Sequence, residues 1–155
     1  MRVVFLDIDG VLNSSKLWER PYNESESPLH MLDEENVARL AKICKTAEAH
    51  IVISSSWRLA YGLADIRGYL KAKGLTPEIE HSNVLDKTPY LATRRRSDEI
   101  EAWLKGTLNR PESFVILDDD ETADVEGRLV KTVFSEGGLL DEHVAKALEM
   151  FGVKD

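Results

Sequence analysis

Short unbroken apolar runs alternate with helical stripes along the 155 residues of this chain. Val3-Val4-Phe5-Leu6 stops abruptly at Asp7, the pattern of a strand covered on both faces. Ile51-Val52-Ile53 ends in Ser54-Ser55-Ser56, and Phe114-Val115-Ile116-Leu117 ends in Asp118-Asp119-Asp120. Leu129-Val130 is a shorter strand candidate, and Ile79 or Val84-Leu85 supplies a weak one between Pro77 and Pro89. Val37, Leu40, Ala41, Cys44 and Ala47 recur at helical spacing behind a capping Asp33. Leu63, Ile66 and Leu70 mark a helix closed by Gly74. Ser97 is expected to cap a helix through Ile100, Trp103 and Leu104, and Asp141 one that turns Val144, Ala147, Leu148 and Phe151 inward. This β-α-β-α alternation predicts an open α/β fold in a single domain over residues 1–155. Residues 14–32, with Pro21, Asn23, Ser25, Ser27 and Pro28, read as its one long polar loop.

Composition narrows the setting. Twenty Lys and Arg against 28 Asp and Glu give a net charge of −8, which disfavours a general nucleic-acid coat but allows a local basic groove. No window approaches the roughly 18 apolar residues of a membrane span. Asp7 and Asp9 interrupt any leader pattern at the start. The lone Cys44 excludes an internal disulfide and a cysteine zinc site and fits a reducing cytosol, so a cytoplasmic location is expected. His30, His50, His81 and His143 lack metal-ligand spacing and read as incidental.

The chemistry gathers where the apolar runs end. Parallel strands point one way, so Asp7/Asp9, Ser54/Ser55 and Asp118/Asp119 are expected on one rim of the sheet, where open α/β folds bind ligands. Two carboxylates ~4 Å apart repel by about 4 kcal/mol at an effective dielectric of 20, so several on one rim call for protonation or a cation. All-oxygen ligation selects a hard divalent ion, with Mg²⁺ favoured alongside a phosphate substrate.

Asp7-Ile8-Asp9-Gly10-Val11-Leu12 after an apolar strand resembles the opening signature of the haloacid dehalogenase (HAD) superfamily. Ile51-Val52-Ile53-Ser54-Ser55, the basic Arg94-Arg95-Arg96 and Val115-Ile116-Leu117-Asp118-Asp119 follow in that superfamily's order. Within it, Ser55-Ser56-Trp57-Arg58 and Asp98–Leu104 are similar to the small HAD domain of Swiss-army-knife RNA repair proteins. The resemblance implies a Rossmann-like, three-layer sandwich with a mostly parallel sheet and a minimal cap or none.

It also implies roles. Asp7 would be the nucleophile that forms an aspartyl-phosphate. Asp9 would be the general acid and base, with its backbone carbonyl on the metal. Asp118 and Asp119 would complete the Mg²⁺ ligands, and Gly10 would turn the chain beside the substrate. Ser55 is favoured to bind the phosphoryl group, with Ser54 as alternative. Arg96 is favoured as the basic residue that steadies phosphoryl charge, with Arg94, Arg95 and Lys87 open. Arg58 and Arg94 are candidate substrate contacts, and Trp57 and Trp103 read as packing residues. The expected activity is a Mg²⁺-dependent phosphohydrolase. Its expected substrate is a phosphorylated nucleotide or RNA end, with neither membrane nor obligate protein partner. A receiver-like module, or a catalytically silent phospho-binding module, is the alternative.

Overall fold

The structure, a computed structural model, describes residues 1–20, 28–75 and 84–155. Five strands, β1 (Arg2–Leu6), β2 (Ala49–Ile53), β3 (Val84–Lys87), β4 (Ser113–Asp118) and β5 (Leu129–Lys131), form one sheet. Its order is β3-β2-β1-β4-β5, and every neighbouring pair is parallel. The helices are α1 (Glu34–Ala47), the single-turn α2 (Trp57–Ala60), α3 (Leu63–Ala72), α4 (Arg96–Gly106) and α5 (Asp141–Phe151). The weak strand lies at Val84; Pro77, Ile79 and His81 lie outside the described residues.

The order of the strands follows from the handedness of the connections. The chain moves outward from β1 to β3, then returns across β1 to β4. Parallel crossovers are right-handed, so reversing direction moves the connecting helix to the other face. Burial agrees. Val4, Leu6, Ile51 and Ile53 pack with apolar residues of α1, α3 and α5. Val3, Phe5, Val52, Phe114 and Ile116 pack with Ile100 and Leu104 of α4. Phe5 anchors that second face through edge contacts to Trp103 and Phe114, with centroids 5.4 and 5.6 Å away.

Register then aligns the strand ends. Leu6 stands opposite both Ile53 and Leu117, so one step later Asp7, Ser54 and Asp118 are level. The amide of Asp7 donates to Leu117 O (3.0 Å), and that of Ser54 to Leu6 O (2.9 Å). Alternation continues from Phe5, Val52 and Ile116, which assigns all three polar residues to the α4 face.

Three expectations about the connections change. Asp33 does cap α1, accepting from the Glu35 amide at 2.9 Å. Ser97, however, lies inside α4, which begins at Arg96 behind Arg95; Asp98 and Glu99 supply first-turn negative charge instead. Asp141 likewise opens α5 rather than capping it. Its carboxylate pairs with Arg39 Nε at 2.9 Å, while His143 Nδ1 accepts from the Leu140 amide, so His143 is not incidental. The polar loop is not structureless: Ser15–Glu19 and Leu29–Met31 form 3-10 turns, and residues 21–27 lie outside the described residues. Those turns and α1 are the described elements between β1 and β2; α2 and α3 are those between β2 and β3. Among the described residues neither connection forms a lid, and no helix is long and apolar enough to cross a membrane.

Candidate active site

The sheet order reverses between β1 and β4, and the crevice at such a switch point is where open α/β sheets bind ligands. Asp7 leaves β1 there, and its Oδ1 accepts from the Ile8 amide at 2.9 Å. Asp118 ends β4, and its Oδ1 accepts from the Asp120 amide at 3.0 Å. Nη1 of Arg96, at the start of α4, bridges the pair: 3.1 Å to Asp7 Oδ2 and 2.8 Å to Asp118 Oδ2. Asp119 completes the group. One carboxylate oxygen from each of Asp7, Asp118 and Asp119 lies within 4.8 Å of the others, close enough to hold one metal ion.

Three acids therefore face one guanidinium. Burial, followed by the neighbouring Asp118 charge, pushes the Asp7 carboxyl up to about 8, although Arg96 pulls the other way. Burial and Asp118 also raise Asp119. Partial burial opposes the charge on Arg96, but Asp7 and Asp118 outweigh it and raise its pKa. A divalent cation would relieve this excess of negative charge, and carboxylate oxygens are the hard donors that Mg²⁺ takes. The residues fit that ion.

Gly10 serves this group by absence. Its φ is +83°, and a Cβ there would overlap the Asp119 carboxylate. Its amide donates to Asn13 Oδ1 at 2.8 Å and its carbonyl accepts from Thr132 Oγ1 at 2.6 Å. Both backbone groups bond within the protein, and the missing side chain makes room for Asp119.

The Asp9 carboxylate is exposed and stands outside the three-acid group. Its Oδ1 accepts from Asn13 Nδ2 at 2.9 Å and from the Trp57 indole at 3.1 Å. Trp57 thus packs and also aims a polar group at a site residue. Asn13 and Thr132 were not singled out in the sequence for any role at the site. Thr132 carried the same mark as the others, a polar residue just past an apolar strand, whereas Asn13 was hidden in loop polarity.

Ser54 and Ser55 differ in what they bond. Ser55 Oγ accepts from the Trp57 amide at 3.2 Å, opening α2. Ser54 Oγ is buried with no hydrogen-bond partner among the described residues, and it is level with Asp7. Accepting from an amide leaves the Ser55 O–H free to donate, so both serines stand as candidate phosphoryl contacts, and Ser54 Oγ is the one with no hydrogen-bond partner among the described residues.

Arg58 corrects a second expectation. It is buried, and its Nη2 pairs with Glu99 Oε1 at 2.9 Å. Nε donates to Thr88 O, Nη1 to Ser54 O and Ser55 O, and Nη2 also to Pro89 O. A guanidinium so completely bonded ties strand ends together and has no donor left for substrate. Arg94 (φ 56°), Arg95 and Lys87 are exposed, and the contact to Asp7 belongs to Arg96.

The topology also separates this chain from receiver domains, whose flavodoxin-like sheet runs 2-1-3-4-5 rather than 3-2-1-4-5. A search of curated proteins and one of solved structures found no match. In a scan against protein families, residues 3–144 match "HAD domain in Swiss Army Knife RNA repair proteins". That match takes in every strand and runs into α5, and the chain belongs to this family of HAD domains.

Proposed function

We propose that the protein is a magnesium-dependent phosphohydrolase that acts through an aspartyl-phosphate on Asp7, with a phosphorylated nucleotide or RNA end as substrate. The observation that carries this reading is the meeting of Asp7, Asp118 and Asp119 around Arg96 at the switch point of the sheet. Membership of a HAD family supports phosphatase-type chemistry.

Asp7 attacks phosphorus while the bond to the leaving oxygen breaks, and Asp9 gives that oxygen a proton. Water then attacks the aspartyl-phosphate, Asp9 takes its proton, and phosphate leaves with Asp7 restored. Ser54 Oγ donates to a phosphoryl oxygen. Arg96 holds Asp7 through Nη1 and presents its remaining N–H groups to developing phosphoryl charge. Asp7, Asp118 and Asp119 would hold Mg²⁺, with Asp9 contributing only its backbone carbonyl. When bound, the ion supplies positive charge that offsets the clustered carboxylates and polarises the phosphoryl group. Exposed Lys87 at the end of β3 and Arg94 and Arg95 beyond it, an uncovered cleft among the described residues and the family's RNA-repair description support a polynucleotide end as substrate. A silent phospho-binding module has less support, because Trp57 and Asn13 both hold Asp9, a proton-transfer group that binding alone does not need.

The test is release of inorganic phosphate from an aryl phosphate and from 3′- and 5′-phosphorylated nucleotides, with Mg²⁺ or with chelator. Release is expected only with Mg²⁺. Asp7→Asn should abolish it, and Asp119→Ala should raise the Mg²⁺ concentration needed. Wild-type turnover by Asp7→Asn would overturn the nucleophile assignment.

A further inference from the structure

Asp9 has a second neighbourhood. Beside it lies an open cavity of about 350 Å³ walled by Met31, His30, Trp57, Ala60 and Tyr61, with Asp9 itself on its border. The three acids lie on the α4 face, whereas Met31 and Tyr61 pack onto the core of the opposite face. Trp57 is almost wholly buried, and its indole N–H reaches Asp9. Its ring meets that of Tyr61 with centroids 5.4 Å apart, and Tyr61 is itself only half buried.

We infer that this cavity is the subsite for the leaving group and that it takes the base of a nucleoside. The inference rests on the phosphohydrolase reading above and follows from where the proton must go. As the phosphorus–oxygen bond breaks, its electron pair stays on the leaving oxygen, which takes the Asp9 proton. The body attached to that oxygen therefore lies on the Asp9 side of the phosphorus, away from the Arg96 side. The cavity borders Asp9, and its Met31 and Tyr61 walls pack on the face opposite α4, which carries Arg96. Its volume is near the lower end of small-molecule sites, about 300–1,000 Å³, enough for one nucleoside-sized group and not for an oligomer. Its walls offer aromatic and thioether surface from Trp57, Tyr61 and Met31, which suits a planar base, beside the polar groups of Asp9, His30 and Ser56. Tyr61 supplies the half-buried stacking ring, and Trp57 fixes that ring relative to Asp9.

The experiment compares kcat/KM for nucleoside 3′- and 5′-monophosphates with that for ribose 5-phosphate, which lacks the base, and acetyl phosphate, which lacks sugar and base. Wild type is expected to favour the nucleotides over ribose phosphate at least tenfold, chiefly through KM. Tyr61→Ala should bring that ratio toward one, and Tyr61→Phe should keep it. Equal turnover of nucleotide and ribose phosphate by wild type, an unchanged ratio in Tyr61→Ala, or preference for a phosphotyrosine peptide would overturn the subsite while leaving the hydrolase standing. Failure to release phosphate from every substrate would instead sink the hydrolase. The pocket is then read directly, by following the Trp57 indole N–H resonance, assigned with Trp57→Phe. Movement with a nucleoside monophosphate but not with ribose 5-phosphate supports base binding, and movement with neither overturns it.

Discussion

Two arginine–carboxylate clusters adjoin where α4 meets the ends of β1 and β2. In one, Arg58 pairs with Glu99, with 3% and 5% of the side chains exposed. One positive charge meets one negative charge, and backbone carbonyls take the other guanidinium donors while the Leu91 amide donates to Glu99 Oε2. In the other, three helix residues away, Arg96 faces Asp7, Asp118 and Asp119. Asp7 and Asp118 are as deeply buried, Arg96 and Asp119 less so, and the charge does not balance. The difference teaches how to tell a strut from a site. A buried ion pair with matched charge and saturated donors ties chain segments together, and one with surplus charge of one sign is held ready for something that brings the opposite charge.

The largest effect expected from that contrast is on Asp7. Its carboxyl is raised from 3.8 to about 8 in the folded, metal-free protein, so over that range the folded state binds more protons than the unfolded one. The stabilising contribution is full below about pH 4 and is lost as pH rises through about 8. Metal-free wild type should therefore lose thermal stability between pH 5 and 9 more steeply than Asp7→Asn. At pH 8.5 the variant should be the more stable by a few kcal/mol, with each kcal/mol worth about 2–4 °C in Tm for a chain of this size. Mg²⁺ should raise the wild-type Tm at that pH and move the variant less. Parallel pH profiles for the two proteins would show that the surplus charge is not stored where the geometry puts it.

The strut should respond in the opposite way. Arg58→Ala leaves Glu99 buried without its ion-pair partner, which costs about 3–5 kcal/mol, or about 6–20 °C in Tm. Replacing both partners with apolar residues of similar volume should recover most of the loss. A Tm unchanged in Arg58→Ala would mean that the pair does not hold the 88–91 turn against β2 and α4.

Much of this was legible before any coordinate. The strands at Val3–Leu6, Ile51–Ile53 and Phe114–Leu117 are buried on both faces, so unbroken apolar runs betray them, and their polar ends point to the acids, whereas Arg96 came only from the family resemblance. The Asp33 cap was legible because an N-cap is a local device. What escaped depends on partners far along the chain. Arg58 meets Thr88 and Glu99, Thr132 meets Gly10, and Trp57 meets Asp9, at separations of 30 to 122 residues that no local pattern encodes. The start of α4 slipped by two positions and that of α5 by one for a similar reason. Arg96 is drawn to Asp7 and Asp118, Asp141 to Arg39, and each pairing sits at the first turn of its helix.

Ser54 and Ser55 are the seam between the two clusters and give the smallest but most discriminating effect. Both carbonyls accept from Arg58, whereas the hydroxyls diverge: Ser55 Oγ accepts from the Trp57 amide, and Ser54 Oγ, on the Asp7 level of the sheet, is buried with no hydrogen-bond partner among the described residues. If the unbalanced cluster is the site, Ser54→Ala removes a donor aimed at the phosphoryl group. It should lower kcat/KM about 10²-fold, equivalent to about 2.7 kcal/mol, with Tm unchanged or slightly raised, because an unpaired buried hydroxyl is lost. Ser55→Ala should do the reverse, costing about 1 kcal/mol of stability through the lost hydrogen bond from the Trp57 amide while kcat/KM changes only a few-fold. Swapped outcomes would move the phosphoryl contact to Ser55 and would place the boundary between strut and site one residue further along the chain.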